Sequence, residues 1–162
     1  PKTMKDWVQK INKKENLLAL KSALAATVSK NHIQERGHLI DTLKVPLVVK
    51  DDIHSLKKTR EVKELLVNLG LEKELERTKV KKVRKGKGKT RGRKYKRKIG
   101  PLIVVSEDKG ILKSGKNIEG VDVRLVDALT IRDLAPGASP GRLTIYSKSA
   151  IKKLEGFGNE SV

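Results

Sequence analysis

Residues 79–98 read KVKKVRKGKGKTRGRKYKRK, in which thirteen of the twenty side chains are Lys or Arg and none is Asp or Glu. Neighbouring charges in this run lie closer together than the screening length of about 8 Å at physiological salt, so they repel one another and keep the free segment extended. Val80, Val83 and Tyr95 are its only apolar or aromatic side chains. Three are too few to offset the roughly 1 to 2 kcal/mol per residue needed to fix a backbone. The expectation is an extended basic arm, with a reach of roughly 65 to 70 Å, that gains order only from a partner.

A polyanion removes such repulsion most completely, because each neutralised phosphate releases condensed counterions. The chain carries 38 Lys and Arg against 19 Asp and Glu, a net charge of +19; outside the arm the remaining 142 residues hold 25 cations and 19 acids, a net of +6. The excess charge is thus concentrated in one place, which points to nucleic acid rather than to a generally basic surface. Gly86, Gly88 and Gly92 let the backbone turn and approach phosphate closely, and Tyr95 offers a stacking face. RNA is favoured over DNA, since no zinc finger, basic zipper or homeodomain-like helix accompanies the arm to read a major groove. The plainer alternative is a solvated basic loop or a localisation patch, the usual reading of shorter basic runs.

The rest of the chain is sized for one domain over residues 1–162, with a core that Leu, Ile, Val and Ala must supply. Met4, Trp7, Val8 and Ile11 follow helical spacing after Thr3 and Asp6, and Leu17, Leu20, Leu24 and Val28 form a second stripe after an Asn12–Glu15 start signal. This predicts two short helices, or one kinked near Asn12. Residues 31–46 read as a connector, 47–50 as a strand, 59–69 as a helix stopped by Gly70, and 71–77 as a charged helical turn. Beyond the arm, LIVVS at 102–106 is a continuous apolar run suited to a strand buried on both faces. A helix at 109–116, a strand at 121–126, a helical turn at 130–134, a strand at 142–146 and a final helix capped by Ser147 and ending near Glu155 complete the series. Strand alternating with helix predicts an α/β fold: a mostly parallel sheet flanked by helices on both faces, three-layered and Rossmann-like, carrying the arm.

Few residues suggest chemistry. GKGKT at 86–90 lacks the glycine a phosphate-binding loop needs, since Val83 holds that place, and neither strand nor helix flanks it. Asp51, Asp52, Glu107, Asp108 and Asp127 fall near strand ends, where carboxylates could hold Mg²⁺ for an enzyme acting on RNA. Asp is also a common helix cap, and no base stands at a telling spacing, so the structural reading is preferred. His32, His38 and His54 lack zinc-ligand spacing and read as surface or RNA-facing residues. The sequence contains no cysteine, which excludes disulfides and thiolate metal sites, and no apolar run approaches the roughly 20 residues of a spanning helix. Neither a catalytic residue, a cofactor, a metal, a membrane nor a small-molecule substrate is expected.

DLAPGASPGRLTIYSKSA at 133–150 closely resembles the near-terminal signature of the fourth large-subunit ribosomal protein family in its archaeal and eukaryotic branch. LALKSALAAT, ERGH, KVPLVVKDD, KTREVKELL and GKGKTRGRKYKR agree in order, so the resemblance covers essentially the whole chain. It implies a non-catalytic constituent of the large ribosomal subunit, cytoplasmic, that binds large-subunit ribosomal RNA beside neighbouring ribosomal proteins and supports assembly. An RNA-binding regulator acting away from the ribosome is the alternative. Candidate RNA-binding residues are Lys79, Lys81, Lys82, Arg84, Lys85, Gly86, Lys87, Gly88, Lys89, Arg91, Gly92, Arg93, Lys94, Tyr95, Lys96, Arg97 and Lys98 of the arm; the resemblance adds Arg36, Arg142 and Lys148. Family members open with a strand and a long basic loop directed to the nascent-chain tunnel. This sequence begins at Pro1, after the place where that loop should end, and is expected to be the later part of a longer chain.

Overall fold

The computed structural model describes residues 2–40 and 43–156. Residues 5–12 form no helix, contrary to the predicted first stripe; α1 spans Lys13–Ala26 with Asn12 at its N-cap. Met4, Trp7, Val8 and Ile11 are all well exposed. An isolated helix this short is unstable in water, and none of the described residues buries this stripe. The expected connector contains a helical segment, α2, over Lys30–Glu35, anchored by the fully buried Ile33; residues 41 and 42 lie outside the described residues. β1 is Leu47–Val49, α3 is Thr59–Asn68 and α4 is Glu72–Lys79.

The arm departs most from expectation. It is not extended: Lys82–Val83 (β2) pairs antiparallel with Tyr95–Lys96 (β3), and a 3-10 turn at Lys87–Lys89 lies between them. The Arg84 amide donates to the Lys94 carbonyl at 2.8 Å and the Arg93 amide to the Gly88 carbonyl at 3.1 Å. Gly86 and Gly92, at φ +80° and +77°, take the left-handed backbone that lets the chain double back. Backbone pairing therefore orders the segment, while its charges remain in solvent; only Arg84 and Gly88 are even half-buried.

The remaining elements are β4 (Leu102–Val105), α5 (Ile111–Lys116), β5 (Asp122–Leu125), α6 (Ile131–Leu134), β6 (Thr144–Ser147) and α7 (Lys148–Gly156). The four longer-range strands form one parallel sheet in the order β1-β6-β4-β5. β4 and β6 are buried along their whole length at its centre, as the unbroken apolar run predicts. Ile103, Val105 and Ile145 share one apolar cluster with Val62 and Leu66 of α3, Leu75 of α4 and Ile111 of α5. Leu102, Val104 and Tyr146 join a second with Ala23 of α1, Leu134 of α6 and Ala150 of α7. Because successive strand side chains point to opposite faces, these clusters lie on the two sides of the sheet. Ser147 Oγ accepts from the Ala150 amide at 3.2 Å, the expected cap of α7.

Candidate nucleic-acid interface

The hairpin is held at its base. Glu74 and Arg77 stand three apart on α4, so their side chains meet on one face: Arg77 Nε donates to Glu74 Oε2 at 2.8 Å and Arg77 Nη2 to Oε1 at 2.6 Å. Nη2 also donates to the Ile99 carbonyl at 2.7 Å, so one guanidinium ties the chain entering the hairpin to the chain leaving it. Glu74 is fully buried and accepts further from His38 Nδ1 at 2.6 Å and from the Leu39 amide at 3.1 Å. Burial works to raise the Glu74 pKa; hydrogen bonds from Arg77 and His38 outweigh it and leave the carboxyl below its ordinary value.

Lys82 and Lys96 stand directly opposite each other in the hairpin register and so share one face. With Val80, Arg97 and Lys98 they line a groove of about 720 Å³, which is also lined by His32 of α2, by Arg36 just after that helix, and by Ser139 and Pro140. Two separate motifs, ERGH and APGASPG, meet there. Arg36 Nη1 donates to the Ser139 carbonyl and Nη2 to the Pro136 carbonyl at 2.6 Å. Gly141, at φ +84°, lies so close to α2 that a Cβ there would sit 2.5 Å from the His32 carbonyl oxygen. Among the described residues Glu35 is the one carboxylate lining the groove. Its surface is strongly cationic.

The expected site residues are distributed unevenly. Lys82, Lys96, Arg97 and Lys98 line the groove, and Arg97 also pairs with Glu119 at 3.4 Å. Lys79 ends α4. Lys81 and Lys94 place their ammonium groups 5.8 and 5.5 Å from the centre of the Tyr95 ring, while Arg84, Lys85, Gly86, Lys87, Gly88, Lys89, Arg91, Gly92 and Arg93 make the outer hairpin and its tip. Arg36 reaches the groove, yet both terminal nitrogens are committed to carbonyls, so it shapes the wall. Lys148 is exposed on the first turn of α7 and does not line the groove.

Arg142, expected among the RNA contacts, is placed inside the domain. It is 1% exposed, and it donates through Nε to the Gly100 carbonyl at 2.9 Å, through Nη1 to the Asp133 carbonyl at 2.9 Å and through Nη2 to Asp122 Oδ2 at 2.5 Å. A guanidinium so enclosed fastens the domain. Two histidines are corrected as well: His38 and His54 are buried, the latter with Nε2 3.2 Å from Ser147 Oγ, and only His32 is exposed. Two of the strand-end carboxylates cap and brace. Asp51 Oδ1 accepts from the Ser149 amide and hydroxyl, and Asp108 Oδ1 from the Gly110 and Leu112 amides. Among the described residues no group of three His, Asp or Glu could hold a metal ion, and no helix is long and apolar enough to cross a membrane.

The buried Glu74–Arg77–His38 cluster escaped the sequence reading, where LEKELER is only a charged turn. Its one visible signal is the Glu74/Arg77 spacing in a helix that ends directly at the arm.

Comparison with known proteins agrees with this arrangement of motifs. A model of the ribosomal protein L4/L1 family matches residues 1–157. The chain is 52% identical over 155 residues to large ribosomal subunit protein uL4 of Nanoarchaeum equitans, covering 95% of this chain and 57% of that protein. It is 47% identical to the uL4 protein of Methanopyrus kandleri, over 96% of this chain and 60% of the relative, and 46% identical to that of Sulfurisphaera tokodaii, over 96% and 61%. The chain thus spans about three fifths of the length of the curated relatives it matches. With the signature motifs packed against one another at the groove and the family model running through every described element, the chain belongs to the ribosomal protein L4/L1 family.

Proposed function

We propose that the chain is a structural constituent of the large ribosomal subunit in the cytoplasmic ribosome, without catalytic activity. On this reading it forms one three-layered, Rossmann-like domain whose basic hairpin, residues 79–98, binds large-subunit ribosomal RNA and supports assembly beside neighbouring ribosomal proteins. The observation that carries the reading is the hairpin: thirteen cations and no acid, in solvent, on a base clamped by Arg77. Self-repulsion of that size is relieved when phosphate lies along it. Lysine contacts to phosphate carry little sequence information, so RNA shape selects the site. The test is sedimentation with large subunits depleted of their own copy of the relative. Co-sedimentation that is lost when residues 81–97 are replaced by a neutral Gly-Ser turn supports the reading; a chain that stays at the top of the gradient in native form overturns it.

A further inference from the structure

In the hairpin register Lys82 stands directly opposite Lys96. Like charges at directly opposed positions of an antiparallel pair destabilise it, and neither ammonium has a carboxylate partner among the described residues. Both line the groove, as do Arg97 and Lys98. Two ammonium groups on one face favour an anionic partner over a neutral one.

The rest of the lining has different chemistry. His32 Nδ1 lies 2.8 Å from Ser29 Oγ, which engages that ring nitrogen and leaves Nε2 for a ligand. Pro140 adds an apolar ring face beside it, on a loop that the Arg36 guanidinium holds by two carbonyls. At about 720 Å³ the groove falls within the range of small-ligand sites. A double helix is far too wide to enter, and RNA bases become available to proteins where they are unpaired and splayed out.

We propose that this groove seats a single unpaired nucleotide extruded from an RNA helix, its phosphate between Lys82 and Lys96 and its base on the His32 and Pro140 wall. The inference rests on the RNA-binding function above and adds the form in which the RNA enters. The hairpin tip then lies along flanking phosphates, and the groove supplies the selection for shape that lysine-phosphate contacts lack.

The test uses two RNA stem-loops of the same sequence, one carrying a bulged 2-aminopurine and one with that nucleotide paired. The native chain should bind the bulged RNA about ten-fold more tightly, the scale of one stacked base, with a change in 2-aminopurine fluorescence. Lys82→Glu converts the like-charge pair to an opposite-charge pair, so the variant should keep or raise its thermal midpoint while the preference falls to about two-fold or less. Equal binding of both RNAs by the native chain overturns the groove assignment and leaves the RNA-binding function standing. A preference that survives Lys82→Glu in a folded variant also overturns it, since another surface then discriminates. Absence of binding to either RNA overturns both.

Discussion

The Arg77 guanidinium and the Ile99 carbonyl oxygen lie 2.7 Å apart, and this contact closes the base of a hairpin whose strands otherwise pair over only two residues each. The same guanidinium neutralises the fully buried Glu74. Arg77→Met leaves that carboxylate without its cation, and removing one partner of a buried pair costs about 3 to 5 kcal/mol. A urea midpoint should show the loss, and hydrogen exchange should show faster exchange of the Arg84 amide. Arg77→Lys keeps the charge without the two-pronged geometry and should fall between Met and the native residue.

Acid should act on the same cluster. Glu74 is held below its ordinary pKa, so between the unfolded value of about 4.3 and the lower folded value the unfolded chain takes up the proton first. Its contribution to stability is therefore complete above about pH 5 and is lost as pH falls through the folded pKa. Asp133 behaves with the same sign: burial raises its pKa, and Thr130 and Arg124 outweigh that effect. Urea midpoints should be level from pH 7 to about pH 5 and decline below about pH 4. Glu74→Gln should begin lower at pH 7 and decline less steeply; parallel curves would show that Glu74 takes no part.

Arg142 and Lys148 sit six residues apart in the signature stretch and should respond oppositely. Arg142→Met strips the partner from Asp122 and leaves the Gly100 and Asp133 carbonyls without their donor, a loss of about 3 kcal/mol or more. Its RNA affinity, measured where the variant is folded, should be unchanged. Lys148→Ala should alter stability by no more than about 0.5 kcal/mol. Calorimetry paired with RNA titration separates the two behaviours.

Gly141 offers a steric test of the groove's wall. Alanine there meets the His32 carbonyl at 2.5 Å in a backbone conformation with φ +84°. The wall must move, so Gly141→Ala should lower the midpoint by the equivalent of about 2 kcal/mol and weaken RNA binding as well. Gly137→Ala, with a similar φ but open space around it, should cost about 1 kcal/mol and leave binding intact.

The sheet was readable because its signals are local. LIVVS has no polar face, and the buried central strand β4 results; the stripe of Val62, Leu65 and Leu66 needed only the facing strands to become α3. Where partners come from elsewhere in the chain, local signals failed. The stripe from Met4 to Ile11 has the spacing of a helix and, among the described residues, no surface that buries it. Charge density in the arm was plain, while its folding back depends on Arg77 and Ile99 just outside the run and on the turns at Gly86 and Gly92. Arg142 entered as an RNA contact only through the family resemblance. Its three acceptors come from Gly100, Asp122 and Asp133, which only the folded sheet brings together.

The salt dependence of RNA affinity bears on the hairpin most directly. If about 8 phosphates are neutralised, the logarithm of affinity for a large-subunit RNA fragment should fall against the logarithm of salt with a slope of roughly −6 to −7. Replacing residues 81–97 by a neutral Gly-Ser turn, with Arg77 and Ile99 left in place, should bring that slope to about −2 or shallower in a chain that stays folded. A slope that keeps its native steepness after the replacement would put the RNA on another surface and contradict the role assigned to the hairpin.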